Sequence, residues 1–200
     1  MNRRMARVAL ESRPTIAESV AIVSRPLGVA ACLFALGVVL GAAVHAPVPG
    51  ARQGVESAFG FDNPTWLTFA ETNLVVLGTI VSGAVLFGFP TFVAVVFNGV
   101  LVGLIVADAH AQGHGLVAVV ILLLPHGVVE IPALLLGAAV GLAVPRGLVS
   151  YLRGHRERIL RRRELLAYLQ LVGLSVLLIV VAGWIEANLT KQLYELWRAS

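Results

Sequence analysis

The apolar residues of this chain fall in long blocks, not in the short alternations of a soluble domain. Five blocks stand out: Pro26–Ala46, about Thr68–Phe89, Pro90–Ala107, Leu116–Val144 and about Tyr168–Ala187. Each holds roughly the 20 residues that a helix needs to cross a hydrocarbon core. The pattern predicts an all-α polytopic integral membrane bundle of about five transmembrane helices. It forms a single domain over residues 1–200, with residues 1–25 as a basic cytoplasmic arm. Gly88-Phe89-Pro90 alone parts the second block from the third. A proline in the first turn of a helix gives up an N–H that has no partner there anyway, so this triplet reads as a tight breaker.

The fourth block is the longest. Its residues 116–144 would make a helix of roughly 43 Å. It could be one tilted, kinked span or a re-entrant pair of half-helices. Loop charge separates the two. With a single span, Ala46–Leu67 lies outside with only Arg52, Asp108–Gly115 lies outside with no Lys or Arg, and Arg146–Arg163 lies inside with seven arginines. A re-entrant pair would put those arginines outside, against the positive-inside rule. The expectation is one Pro-kinked span, an N-terminus in the cytoplasm and a C-terminus outside. Two flanking segments, Glu11–Ser24 and Tyr151–Leu169, mix apolar and charged residues and predict interfacial amphipathic helices.

Composition supports the membrane reading. The chain is 58% hydrophobic and 13% charged, against about 25% charged in soluble domains. A pI near 10.0 would suit nucleic acid. Yet twelve of the fifteen Lys/Arg residues sit between Arg3 and Arg25 or between Arg146 and Arg163, beside apolar spans. That placement points to a bilayer as partner and not to nucleic acid. Arg153, Arg156, Arg161, Arg162 and Arg163 are candidates for lipid headgroups, with topology-setting as the plainer role. Cys32 is the only cysteine, which excludes an intrachain disulfide and a cysteine zinc site. Val44-His45-Ala46 resembles a signal cleavage site, but the long basic region and apolar run before it suit a retained anchor better.

Pro125-His126-Gly127-Val128-Val129-Glu130-Ile131-Pro132 lies within the fourth block, with Glu130 near its middle. An acid at membrane depth costs roughly 2.5–3.5 kcal/mol on insertion scales, so it usually has a partner. Pro125 and Pro132 each remove one helical hydrogen bond, and Gly127 removes bulk between them. His126 and Glu130, four apart, share one helix face. Asn98, at similar depth in the third block, is a candidate partner for either. Three readings stay open: a structural pair, a midplane site for an ion, proton or substrate, and catalysis. Glycines four apart recur as Gly37/Gly41, Gly99/Gly103 and Gly137/Gly141, a spacing that lets helices approach closely in lipid. A second polar group gathers toward the outer side: His45, Glu71, Asn73, Asp108, His110, His114, Glu186 and Asn188. Asp108, His110 and His114 have no established metal-ligand spacing, and no metal or other cofactor is expected. Asn188-Leu189-Thr190 fits a glycosylation pattern.

Three stretches resemble the stage II sporulation protein M family. They are Glu71-Thr72-Asn73, Phe97-Asn98-Gly99 with Gly103, and Leu124 to Ala133, which is similar throughout to that family's Pro-His-Gly-x-x-Glu-φ-Pro-Ala signature, φ being apolar. The resemblance covers roughly Glu71 to Gly183. It implies an all-helical membrane protein of about five spans, and importance for Asn98, His126, Gly127, Glu130 and Pro132. Sporulating members act in engulfment, anchoring peptidoglycan-degrading partners at the septal membrane without being hydrolases. Many relatives live in organisms, archaea included, that neither sporulate nor make murein. Fourteen arginines to one lysine fit a GC-rich, non-sporulating host.

Two functions follow as expectations. One is a non-enzymatic scaffold in the cell membrane that organises other membrane or envelope proteins, as a homo-oligomer. The other is a transporter or channel-like protein with a midplane site at His126 and Glu130.

Overall fold

A computed structural model describes residues 13–43, 65–111, 115–190, 192–193 and 196. His45, His114 and residues 1–12 lie outside the described residues. Among the described residues six α-helices follow in order: α1 Ile16–Ile22, α2 Ser24–Ala43, α3 Trp66–Ser82, α4 Phe89–Ala111, α5 Gly115–Leu152 and α6 Arg162–Ile185. A π-helical segment, Glu186–Thr190, continues α6. The described residues include no strand.

Among the described residues, four stretches are long and apolar enough to cross a membrane: Ser24–Ala43, Phe89–Asp108, Leu123–Leu152 and Arg162–Thr190. The fifth apolar helix, Trp66–Ser82, has only 17 residues. The expected second span ran on to Phe89, but the helix stops at Ser82 and residues 83–88 turn. Ser82 donates its hydroxyl to Thr79 O at 2.7 Å, and Phe87 and Gly88 take φ of 55° and 82°. That left-handed pair reverses the chain, and only the glycine adopts it without strain.

The bundle is sorted as membrane proteins are. Its fully buried positions are mostly small: Ala30, Ala133, Ala138, Ala139, Ala167, Ala182, Ser19 and Ser175. Large apolar side chains face outward, with Val39 64% exposed, Val75 70% and Phe92 49%. In lipid, exposing Leu or Phe costs nothing, and association relies on close packing of small residues.

Two of the predicted glycine pairs meet each other. A Cβ on Gly37 or Gly41 of α2 would run into the α4 backbone at Val96 and Val100, and one on Gly99 or Gly103 into the α2 backbone at Phe34 and Val38. Gly137 and Gly141 on α5 admit Leu77 and Ile80 of α3. Helix α5 lies at the centre, touching α2, α3, α4 and α6. Its Leu134 and Ala138 join Leu77, Val95 and Ile179 in the main core.

Helix α5 passes through Pro125, Pro132 and Pro145 without ending, one continuous helix as expected and not a re-entrant pair. It also extends eight residues past the expected end at Val144. The second amphipathic helix, expected over Tyr151–Leu169, is not formed. Gly154 at φ 72° closes α5, with Gly154 N–H donating to Tyr151 O and His155 N–H to Ser150 O. This left-handed glycine stop is followed by a fresh start, where Arg161 N–H donates to Glu164 Oε2 at 2.9 Å. A stop and a start thus lie inside the segment. The first expected interfacial segment is present as α1, capped by Thr15 and Glu18. It is pinned to α6 by Ser19 Oγ–H to Gln170 Oε1 at 2.9 Å and by Arg163 to Glu18 at 2.9 Å.

Candidate functional site

His126 and Glu130 occupy successive turns of α5. Facing them are Glu186 and Thr190, also four apart, on the π-helical continuation of α6. Because α5 and α6 are antiparallel neighbours, the two pairs form two rungs. His126 Nδ1 lies 3.4 Å from Thr190 Oγ1. Ligand atoms of His126, Glu130 and Glu186 all lie within 4.8 Å of one another. Thr190 is fully buried, His126 is 9% exposed, and the two carboxylates are half-buried. The π turn is suited to this. Such wide turns recur at functional sites because they redirect side chains without ending the helix.

The partner expected from sequence, Asn98, is used otherwise. It donates Nδ2–H to Ala94 O, 2.7 Å away in its own helix. The group that meets Glu130 is Glu186, which the sequence placed with the outer polar residues. Arg146 and Tyr168 line one cavity of about 100 Å³ at the arginine end, so they share a level. From Arg146 back to Glu130, and from Tyr168 on to Glu186, the helical rise gives about 24 and 27 Å. Both acids therefore lie toward the opposite end of the helix pair, and Glu130 stands seven residues from the start of the apolar stretch Leu123–Leu152 rather than at its centre. The sequence estimate centred Glu130 because it ended the span at Val144.

Gly127 has room: an added Cβ would meet only Ile131 Cδ1, at 3.8 Å. Pro125 is half-buried and Pro132 exposed, both on the continuous helix. Glu71 is exposed and Asn73 half-buried on α3, whose first turns pack beside Gly183 of α6. His110 belongs to the last turn of α4. Asn188 donates Nδ2–H to Trp184 O at 2.8 Å.

At the opposite end, the candidate headgroup arginines divide. Arg156 is engaged by Glu164 and Arg163 by Glu18. Arg153, Arg161 and Arg162 are exposed. The Glu18 carboxylate is held below its ordinary value, first by the Thr15 amide N–H and then by the Arg163 charge.

Comparison with known proteins agrees with the fold. The family described as Stage II sporulation protein M matches residues 29–191, extending the resemblance read from Glu71 onward back through α2. An uncharacterized protein of Methanocaldococcus jannaschii is 33% identical over 133 residues, covering 66% of this chain and 73% of the relative. A second uncharacterized protein of that organism is 42% identical over 73 residues, or 34% of this chain and 33% of the relative. No solved structure matches.

Proposed function

The chain belongs to the stage II sporulation protein M family, and from that premise we propose that it is a non-enzymatic integral membrane scaffold. It organises partner proteins in the cell membrane as a homo-oligomer, with its N-terminus in the cytoplasm and its C-terminus outside. The observation that carries this reading is the use made of polar groups inside the apolar helices. Thr91 donates to Ile80 O at 2.6 Å, Asn98 to Ala94 O, and His126 meets Thr190. These contacts hold helix to helix or turn to turn, as expected of a rigid platform. The exposed arginines 153, 161 and 162 then lie against anionic headgroups.

The test is isolation of the full chain in nanodiscs, with chemical crosslinking in its native membrane. A scaffold gives a discrete complex above monomer mass, and His126→Ala or Glu130→Gln lowers folded yield or assembly. Variants that fold and assemble normally yet abolish the cellular role would overturn it. A transporter or channel-like role is the second reading, favoured by the convergence of His126, Glu130 and Glu186. Reconstituted liposomes that pass an ion or proton, and lose that flux in Glu130→Gln, would establish it in place of the scaffold.

A further inference from the structure

We propose that His126, Glu130 and Glu186 form a binding site for a divalent transition-metal cation, of which Zn²⁺ is the representative.

Three observations lead there. The first is convergence: an imidazole and two carboxylates from helices 56 to 60 residues apart in sequence bring ligand atoms within 4.8 Å of one another. Zinc takes nitrogen and carboxylate ligands at about 2.0–2.2 Å, so side-chain adjustments of about an ångström would close the set. The second is charge. Two carboxylates this close repel each other strongly where water is scarce, and they need a cation or a shared proton between them. Among the described residues, the ion pairs of the chain, Arg156–Glu164 and Arg163–Glu18, both lie at the other end of the bundle. Lys191, next to Thr190, is outside the described residues. The third is support. His126 is 9% exposed and stands beside the buried Thr190 hydroxyl. Metal-binding histidines usually donate their other ring N–H to an oxygen acceptor, a place the Thr190 hydroxyl can take.

The donor set selects the ion class. One imidazole disfavours calcium and magnesium, which take oxygen, and the absence of thiolate disfavours the softest ions. Three protein ligands leave one position open for water. The inference rests on the scaffold reading only in treating these residues as a clasp between α5 and α6, and it names what completes the clasp. Metal uptake and partner assembly are read separately, so either can fail alone.

The experiment uses the full chain in detergent, stripped with EDTA, dialysed, and then exposed to Zn²⁺. Elemental analysis is expected to give one zinc per chain, and the metal should raise the melting temperature, since it binds the folded form. Glu130→Gln, Glu186→Gln and His126→Ala should each weaken uptake by roughly tenfold or more. His110→Ala/His114→Ala and Lys191→Gln should leave it unchanged. Stripped wild-type chain that takes up no zinc overturns the proposal, as a shared proton would then suffice. So does zinc retained equally by a Glu130→Gln/Glu186→Gln double variant, which would mark it as adventitious or held elsewhere. Should the variants fail to fold, the stripping and reloading of wild-type protein still decides.

Discussion

Gly37 of α2 and Gly99 of α4 face each other so closely that neither has room for a Cβ. Each would drive that carbon into the partner's backbone, which cannot turn aside as a side chain can. Gly41 and Gly103 repeat the arrangement one turn along.

Gly99→Ala should therefore force α2 and α4 apart. Overpacking of this kind costs about 1–3 kcal/mol. Thermal melting of the purified protein in detergent should show a clear loss of stability. Gly127→Ala, whose Cβ meets nothing nearer than 3.8 Å, should be neutral or slightly stabilising because alanine favours helix. Equal effects at both positions would contradict the packing described.

Thr91, fully buried at the start of α4, donates to the Ile80 carbonyl near the end of α3. Thr91→Val keeps the shape and removes one donor to Ile80 O, which the Gly83 N–H still reaches, at a cost of about 0.5–1.5 kcal/mol. Thr91→Ser should recover most of the loss. The comparison of the two melting temperatures isolates the hydrogen bond from the methyl group.

Glu18 supplies a pH dependence whose sign is determined. Its folded carboxyl lies below the ordinary value of 4.5 because the Thr15 amide and Arg163 favour the charged form. Its stabilisation is complete above the unfolded value and disappears as pH falls through the folded one. Glu18→Gln should narrow the difference in melting temperature between about pH 6 and about pH 3. It should also loosen α1 from α6, since Arg163 loses its partner.

The turn between α3 and α4 exposes Val85 at 81%, Phe87 at 78% and Phe89 at 71%. No charged residue occurs between Glu71 and Asp108. The backbone N–H groups of residues 83–86 donate to the last carbonyls of α3, and those of 88 and 89 donate within the turn. With these amides satisfied, such an uncharged turn can dip into the edge of the acyl layer. In a Cys32→Ser background, a fluorophore on Phe87→Cys should be quenched by brominated lipid, whereas one on Arg153→Cys should not. An unquenched probe at position 87 would place the turn in water.

Much of this fold was legible in the residues. Blocks of apolar sequence marked the helices, because a bilayer demands about 20 such residues and little else. Glycines four apart pointed to close helix approach, and the structure shows that two of the pairs meet between α2 and α4. The end of α3 was missed because Gly83 to Phe89 is as apolar as the helix before it. Only backbone angles at Phe87 and Gly88 separate turn from span. The linker after α5 was read as helix by its leucines and arginines, although Gly154 and Glu164 carried the stop and start signals. At the site, the sequence sets His126 and Glu130 on one helix face, and the structure adds Glu186 and Thr190 beside them. Asn98 attracted the assignment by apparent depth. Glu186 was visible only by counting inward from the α5–α6 connection, which needs the level of Arg146 and Tyr168 to be known.

The central place of α5 has a consequence for biosynthesis. A ribosome delivers α2, α3 and α4 first, and the surface they jointly cover does not yet exist. Helices α2 and α4 can close their glycine seam at once, but with α3 they wait in the membrane until α5, the last α-helix but one, arrives against them. Termination or stalling before Leu152 would strand them without their common neighbour, so quality control of this protein should act chiefly on products that end early.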